Sequence, residues 1–303
     1  MSNLLSQTKP NTAKFSLRLN TLDLVLLAVI IVGVAWLYHR SSIGVNYNWR
    51  WSDAFELILT PRADGGLPYF FQGLISTVRL SLWGMLLAIV LGTALGLAKQ
   101  SSISVFRVPA NAFIQLVRNI PPLVFVFIFY FFISNQIIPL LGLDAVLRDY
   151  NQEPNALQAF LFGPVSLWEN LVSGVLCVGL LSSAYVAEVI RAGLASIPKG
   201  QWEAADSLGL SRWVKYRFVI APQVLTAITP ALAGQAISLV KDTSIVSLIS
   251  IQELTFVGTE IANSSGLIFE IWLIVGLVYL LICLSLSLMF RKLEQISLRH
   301  LTR

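Results

Sequence analysis

Long apolar runs that carry no charge alternate along this chain with short polar segments rich in Lys and Arg. A helix that crosses a bilayer needs about 20 mostly apolar residues. Leu80 to Ala98, Asn119 to Leu143, Asn170 to Ala187, Phe218 to Val240 and Ile271 to Phe290 supply them, and Leu24 to Tyr38 is a shorter candidate. Gly33-Val34-Ala35 in that shorter run has the small-x-small pattern of a signal-peptide cleavage site, but no polar region precedes it, so the run is read as a span. The pattern predicts an all-α integral membrane bundle: an N-terminal segment at 1–21, a first span at 22–38, a loop at 39–69, a transmembrane domain at 70–290 and a tail at 291–303. Gly92 and Gly96 form a small-xxx-small pair that lets a second helix come close. Pro121-Pro122 kinks or delays the third spanning helix, because neither proline donates a backbone bond.

Composition sharpens this picture. The chain is 56% hydrophobic and 12% charged, against about 25% charged in soluble domains. Its net charge of +5 would suit nucleic acid, but the bases cluster beside apolar runs, which is the distribution that orients a membrane protein. Cys177 and Cys283 both lie in apolar runs with no metal-ligand spacing, so they read as buried packing residues and predict neither a disulfide nor a metal site.

Lys and Arg set the orientation. The bases around Lys99 and Arg107, those from Arg191 to Arg217, and Arg291, Lys292, Arg299 and Arg303 mark cytoplasmic segments. Residues 139–169 hold Arg148 alone against Asp144, Asp149, Glu153 and Glu169, and residues 250–266 hold Glu253 and Glu260 with no base, so both are outer loops. Six spans with both termini inside satisfy this count; only 39–69, with Arg40, Arg50 and Arg62, is neutral, and Trp49 and Trp51 there read as interfacial anchors.

One cytoplasmic loop, 196–222, carries more than orientation. Ser196-Ile197-Pro198 offers a helix start and Gly209 a left-handed stop. The helix between them is too short to be stable alone in water, with Trp202, Ala205 and Leu208 on one face. Small Ala204 and Ala205 permit close approach, Glu203 offers a charge to a partner base, and Pro222 interrupts the helix that Ser211 begins. A helix resting on anionic headgroups would not place Glu203 and Asp206 within one turn, so the segment reads as a docking loop for another protein.

The run Glu203-Ala204-Ala205 with Gly209 and then Ile220-Ala221-Pro222 resembles the signature loop of permease subunits in bacterial ATP-binding-cassette importers. Gly73 to Thr77, Arg118-Asn-Ile-Pro-Pro-Leu123, Ala184 to Gly193, Ile197 to Ala205 and Lys241-Asp-Thr-Ser244 are similar, in order, to motifs of the polar amino acid permeases of the histidine, glutamine and arginine type. The resemblance covers roughly residues 70–290 and implies a type I importer transmembrane fold, a five-span core to which the first span here is an addition. It further implies a bacterial inner-membrane location and a cargo of polar amino acids. Implied partners are separate ATPase subunits carrying ATP and Mg, a second permease chain, identical or similar, and an extracytoplasmic amino-acid-binding protein. Trp202, Glu203, Ala204, Ala205, Gly209 and Pro222 are then the coupling residues. Asn119-Ile120 departs from the Arg-Gly-Thr-Pro common in that family, and the outer loop from Asn135 to Trp168 is longer than usual.

Ionisable groups inside spans are costly and mark function unless paired. Glu188, Lys241, Asp242 and Arg118 are such groups, and with Tyr185, Thr243 and Ser244 they form the candidate substrate path, with Arg79 a weaker candidate. A zwitterionic amino acid needs an acid for its ammonium and a base for its carboxylate, and this set holds both. The competing arrangement pairs Lys241 with Asp242 and Glu188 with Arg191 and lets Arg118 snorkel. No G-x-x-x-x-G-K-[ST] occurs, so this chain cannot cradle ATP itself, and with no H-E-x-x-H or G-x-S-x-G it does not read as an enzyme, nor as one holding a cofactor. A secondary amino acid transporter working without an ATPase is the alternative, but it would show paired inverted halves and no docking loop.

Overall fold

The computed structural model describes residues 20–42, 47–61, 65–140, 142 and 154–299. Arg62, Asp144, Arg148, Asp149, Glu153 and Arg303, on which part of the orientation count rests, lie outside them. The described residues fall into two compact units, divided after Trp49. The first contains α1 (Thr21–Ser42), which opens where the Asn20 N–H donates to Asp23 and ends on His39 and Arg40, charges suited to each helix end.

The second unit contains α2 (Trp51–Leu59), α3 (Tyr69–Lys99), α4 (Ser104–Asn119), α5 (Pro122–Leu140), α6 (Ala156–Phe162), α7 (Trp168–Ser196), α8 (Lys199–Ser207), α9 (Arg212–Ile249), α10 (Leu254–Ser265) and α11 (Ile268–Arg299). Among the described residues, six stretches are long and apolar enough to span a membrane: most of α1, α3, α5, α6 with α7, α9, and α11 to Gln295.

Two spans depart from the run lengths read above, for backbone reasons. Pro121-Pro122 ends α4 and starts α5 afresh, and α5 then widens into a π-helical stretch over Phe129–Ser134. The fifth span does not stop at Val240. Its helix passes Lys241 and Asp242 and tightens into a 3-10 stretch over Thr243–Ile249, where the Thr243, Ser244 and Ser247 hydroxyls donate to backbone carbonyls three residues back. Hydroxyls bonded back to the chain let a polar stretch stay helical.

Helices α3 and α7 run parallel in tight register, Gly84 against Val178, Gly92 against Val186 and Gly96 against Ile190. A Cβ at Gly92 would lie 2.6 Å from Val186 and 2.8 Å from the Ser183 carbonyl, so backbone meets side chain with no room for a methyl. Small residues permit this approach, and dispersion over the long contact holds it. Around the pair lie an apolar layer built on Leu80, Phe129, Val178, Leu181 and Val246, a second on Phe70, Leu254, Leu267 and Ile271, and a third on Ala88, Val186, Ile220 and Leu239.

One polar knot ties α3, α10 and α11. Glu253 is fully buried at the N-cap of α10, where its carboxylate accepts from the Phe256 N–H (2.9 Å), the Tyr279 hydroxyl (2.6 Å) and the Thr77 hydroxyl (3.2 Å). Burial pushes its carboxyl up from the usual range, opposed by hydrogen bonds from backbone N–H groups and from Tyr279 and Thr77.

Candidate coupling helix and translocation path

Helix α8 is the segment that the sequence pattern marks as a candidate for docking. Ser196 is not its cap, because α7 continues through Ser196, whose hydroxyl donates to Gly193; Pro198 stands at the N-cap instead. Gly209 adopts φ 66° and ends the helix as its composition required. Ala205 is buried, and Trp202 meets Tyr216 edge-on at 5.4 Å, beneath Lys215 at 6.0 Å. Lys215 also pairs with Asp206. Leu208 does not share the inward face, since the helix has ended and it stands 76% exposed. Glu203 and Ala204 are exposed on the outer face. Ser211 caps the next helix through the Val214 N–H, and Lys215–Ile220 forms a π-helical stretch before Pro222. The wider turn makes room for the proline ring, which would clash with the carbonyl four residues back in an α-helix.

The intramembrane charges separate into two groups. Glu188 accepts from Arg191 Nε at 2.6 Å and Lys99 Nζ at 3.0 Å, with Arg118 Nη1 at 3.7 Å. The Arg118 guanidinium lies 5.9 Å over the Tyr185 ring. Arg118, Tyr185 and Glu188 line one cavity of about 470 Å³ between α7 and α9, with Gln235 and Ser196. Lys241, Asp242, Thr243 and Ser244 do not line it. They lie at the far end of α9, about 10 Å beyond Gln235 at 1.5 Å per residue. No Lys241–Asp242 ion pair forms, and Lys241 is exposed.

A second cavity of about 460 Å³ lies at the other end of α7. Gln72, Ser76 and Arg79 line it from α3, Asn170 from α7 and Gln252 from the turn before α10, with Phe162 from the end of α6 and Pro164 from the turn that follows it. Arg79 is a positioning residue here. It donates to the Phe160 and Ala159 carbonyls at 2.6 and 2.8 Å, and Trp83 donates to Leu161 at 3.1 Å while stacking on Phe162. Orphan carbonyls at the end of α6 are thus satisfied from α3, with a cation at the negative helix end. Along α7 the first cavity takes 185–196, the second 167–171, and the apolar layer with Leu181 fills the interval.

Sequence reasoning missed Lys99 as a Glu188 partner, Gln235, the Arg79–Trp83 clamp and the Glu253 knot. The acids carried a signal, being charges near apolar runs, but their partners lie as many as 176 residues away.

Residues 84–296 match the family model described as the binding-protein-dependent transport system inner membrane component. The chain is 31% identical over 251 residues to a probable amino-acid ABC transporter permease, YckA, of Bacillus subtilis (strain 168), covering 83% of this chain and 97% of that one. It is 32% identical over 229 residues to the glutamine transport system permease GlnP of Escherichia coli (strain K12), covering 76% and 93%. Among solved structures, an amino acid ABC transporter with histidines superposes with a TM-score of 0.63 at 28% identity, over 82% of this chain and 99% of the other.

Proposed function

We propose, for a chain that belongs to the binding-protein-dependent transport system inner membrane components and to their amino acid ABC transporter permeases, that its transmembrane domain at 70–290 passes polar amino acids inward by alternating access, driven by a separate ATPase. The fold is the all-α type I importer bundle with an additional N-terminal span. The observation that carries the coupling is α8, a short helix held from behind by Ala205, Trp202 and the Asp206–Lys215 pair, with Glu203 and Ala204 turned outward. Such a helix is too short to persist without a surface to rest on. The ATPase partner is where ATP and Mg bind; this chain contributes no catalytic group. A second permease chain completes the path, and an extracytoplasmic binding protein delivers the cargo. The N-terminal segment, the 196–222 loop and the tail face the cytoplasm of a bacterial inner membrane.

Two cavities separated by an apolar layer suit alternating access, in which the layer parts on one side at a time. Arg118 and Tyr185 at the inner cavity offer a base and an aromatic face to an amino acid, with Glu188 already shared by three bases. Asp242 with Lys241, Thr243 and Ser244 forms a further station on the path, at the turn where α9 tightens.

The test replaces exposed Ala204 with Arg in the chain co-purified with its ATPase and binding protein. Loss of cargo-stimulated ATP hydrolysis by tenfold or more, with normal insertion, supports coupling through α8. Unaltered stimulation overturns it, and uptake by the chain without any ATPase would instead establish a secondary transporter.

A further inference from the structure

The end of α3 and the flank of α4 enclose a cavity that the transport reading leaves unused. It measures about 330 Å³ and is lined by Lys99, Arg107, Val108, Asn111 and Ala112. Its polar groups are two cations and one carboxamide, and no acid lines it. Arg107 and Asn111 stand one helical turn apart on α4, both exposed, and among the described residues the one bond Arg107 makes to a side chain is a long one of 3.3 Å to the Ser104 hydroxyl. Lys99 reaches Glu188 on its other side, but that acid is shared with Arg118 and Arg191, so three bases stand against one acid beside the cavity. Exposed apolar side chains lie beside the cavity in the chain, Leu97 at the end of α3 and Ile103 and Val105 at the start of α4, each 47% exposed or more. Ala110, Ile114 and Val117 on the opposite side of α4 are buried, so this helix lies against the bundle with its polar edge between an inner and an outer apolar face.

We propose that this cavity binds the phosphate of an anionic phospholipid headgroup from the cytoplasmic leaflet, with the acyl chains along Leu97, Ile103, Val105 and Val108. The proposal rests on the orientation given above, which puts Lys99 at the cytoplasmic surface. A phosphate placed there meets two cations and the Asn111 carboxamide, a donor set that suits an anion. The leaflet there is rich in anionic lipid, and each base near such a surface adds about 1 kcal/mol, or about fivefold in affinity. Lipid and free phosphate offer the same headgroup chemistry; the flanking apolar residues favour the lipid.

The full-length chain, purified in detergent, is titrated with phosphatidylglycerol, phosphatidylcholine or inorganic phosphate while its melting temperature is followed. Phosphatidylglycerol is expected to raise it and the other two to leave it unchanged. Arg107→Gln should move the phosphatidylglycerol midpoint about fivefold upward, and Arg107→Lys should restore it. Val108→Trp, which fills the cavity without altering charge, should also weaken the response and decides the matter if Arg107→Gln does not purify. An unmoved midpoint in Arg107→Gln and Val108→Trp, or equal stabilisation by phosphatidylcholine, overturns the site. Stabilisation by inorganic phosphate matching that of the lipid overturns the lipid assignment. Cysteine labelling of the same chain reports orientation independently, so an inverted topology is told apart from an empty cavity.

Discussion

Glu188 shows how one carboxylate organises a charged site. Arg191, three residues on, was legible as a helical neighbour, whereas Lys99 comes from the end of another helix 89 positions away. Removing one partner of a buried ion pair costs about 3 to 5 kcal/mol; the Glu188 side chain is 22% exposed, so a lower figure of about 1 to 3 kcal/mol applies to Glu188→Gln. This variant should melt several degrees lower, and Lys99→Gln should restore part of the loss in the double variant because the stranded cation is gone. Additive losses in that cycle would mean that the two groups do not interact. Glu253 makes a different prediction, about pH. Its carboxyl is raised in the folded chain, chiefly by burial. The folded state therefore holds the proton more tightly than the unfolded one, and this contribution is full below the ordinary value of about 4.3 and lost as pH rises through the raised one. Melting temperatures of the wild-type chain should fall relative to Glu253→Gln between about pH 4 and the raised value. A difference independent of pH would show that Glu253 does not titrate with folding.

At the scale of elements, α6 and α3 depend on each other. Arg79 and Trp83 satisfy three successive carbonyls at the end of α6, which has no other means of finishing its last turn than the Gly163 N–H. Arg79→Leu leaves the Phe160 carbonyl without its donor, at about 1 to 3 kcal/mol when buried, and leaves the Ala159 carbonyl only the Gly163 N–H. Hydrogen exchange over 156–162 should rise at least tenfold while exchange in the centre of α7 stays as it was; protection equal to wild type would remove Arg79 from that role. The α3–α7 contact is less forgiving. Gly92→Leu has no space, with Val186 and the Ser183 carbonyl both inside 3 Å of a first carbon, and it should abolish the folded chain rather than weaken it. Recovery of normally folded protein would show that α7 can retreat. The Gly92-xxx-Gly96 spacing announced this contact, but nothing in it told which helix would fill the groove.

For the whole molecule, the orientation follows from Lys and Arg alone and is open to direct measurement. A single cysteine at Asn155, at the start of α6, should react with an impermeant maleimide from outside, and one at Ser207, at the end of α8, only after the membrane is opened. The reverse order would invert the topology and, with it, the lipid site at Lys99 and Arg107.

What the sequence determined by itself was the class and the plan: six apolar spans, the basic segments between them, the short helix with its glycine stop, and a family resemblance that the comparisons bear out. These are local properties, since the length of an apolar run, a left-handed glycine and a short motif are each written in neighbouring residues. Tertiary structure alone decided which charges share a cavity. Arg118 and Tyr185 come together across 67 positions, while Asp242, equally prominent in the sequence, falls about two turns further along α9, outside their cavity. Whether a buried charge finds a partner depends on the register and direction of packed helices, here the parallel docking of α3 on α7 through Gly84, Gly92 and Gly96, and a pattern of apolar residues within one helix does not encode the depth at which it meets another.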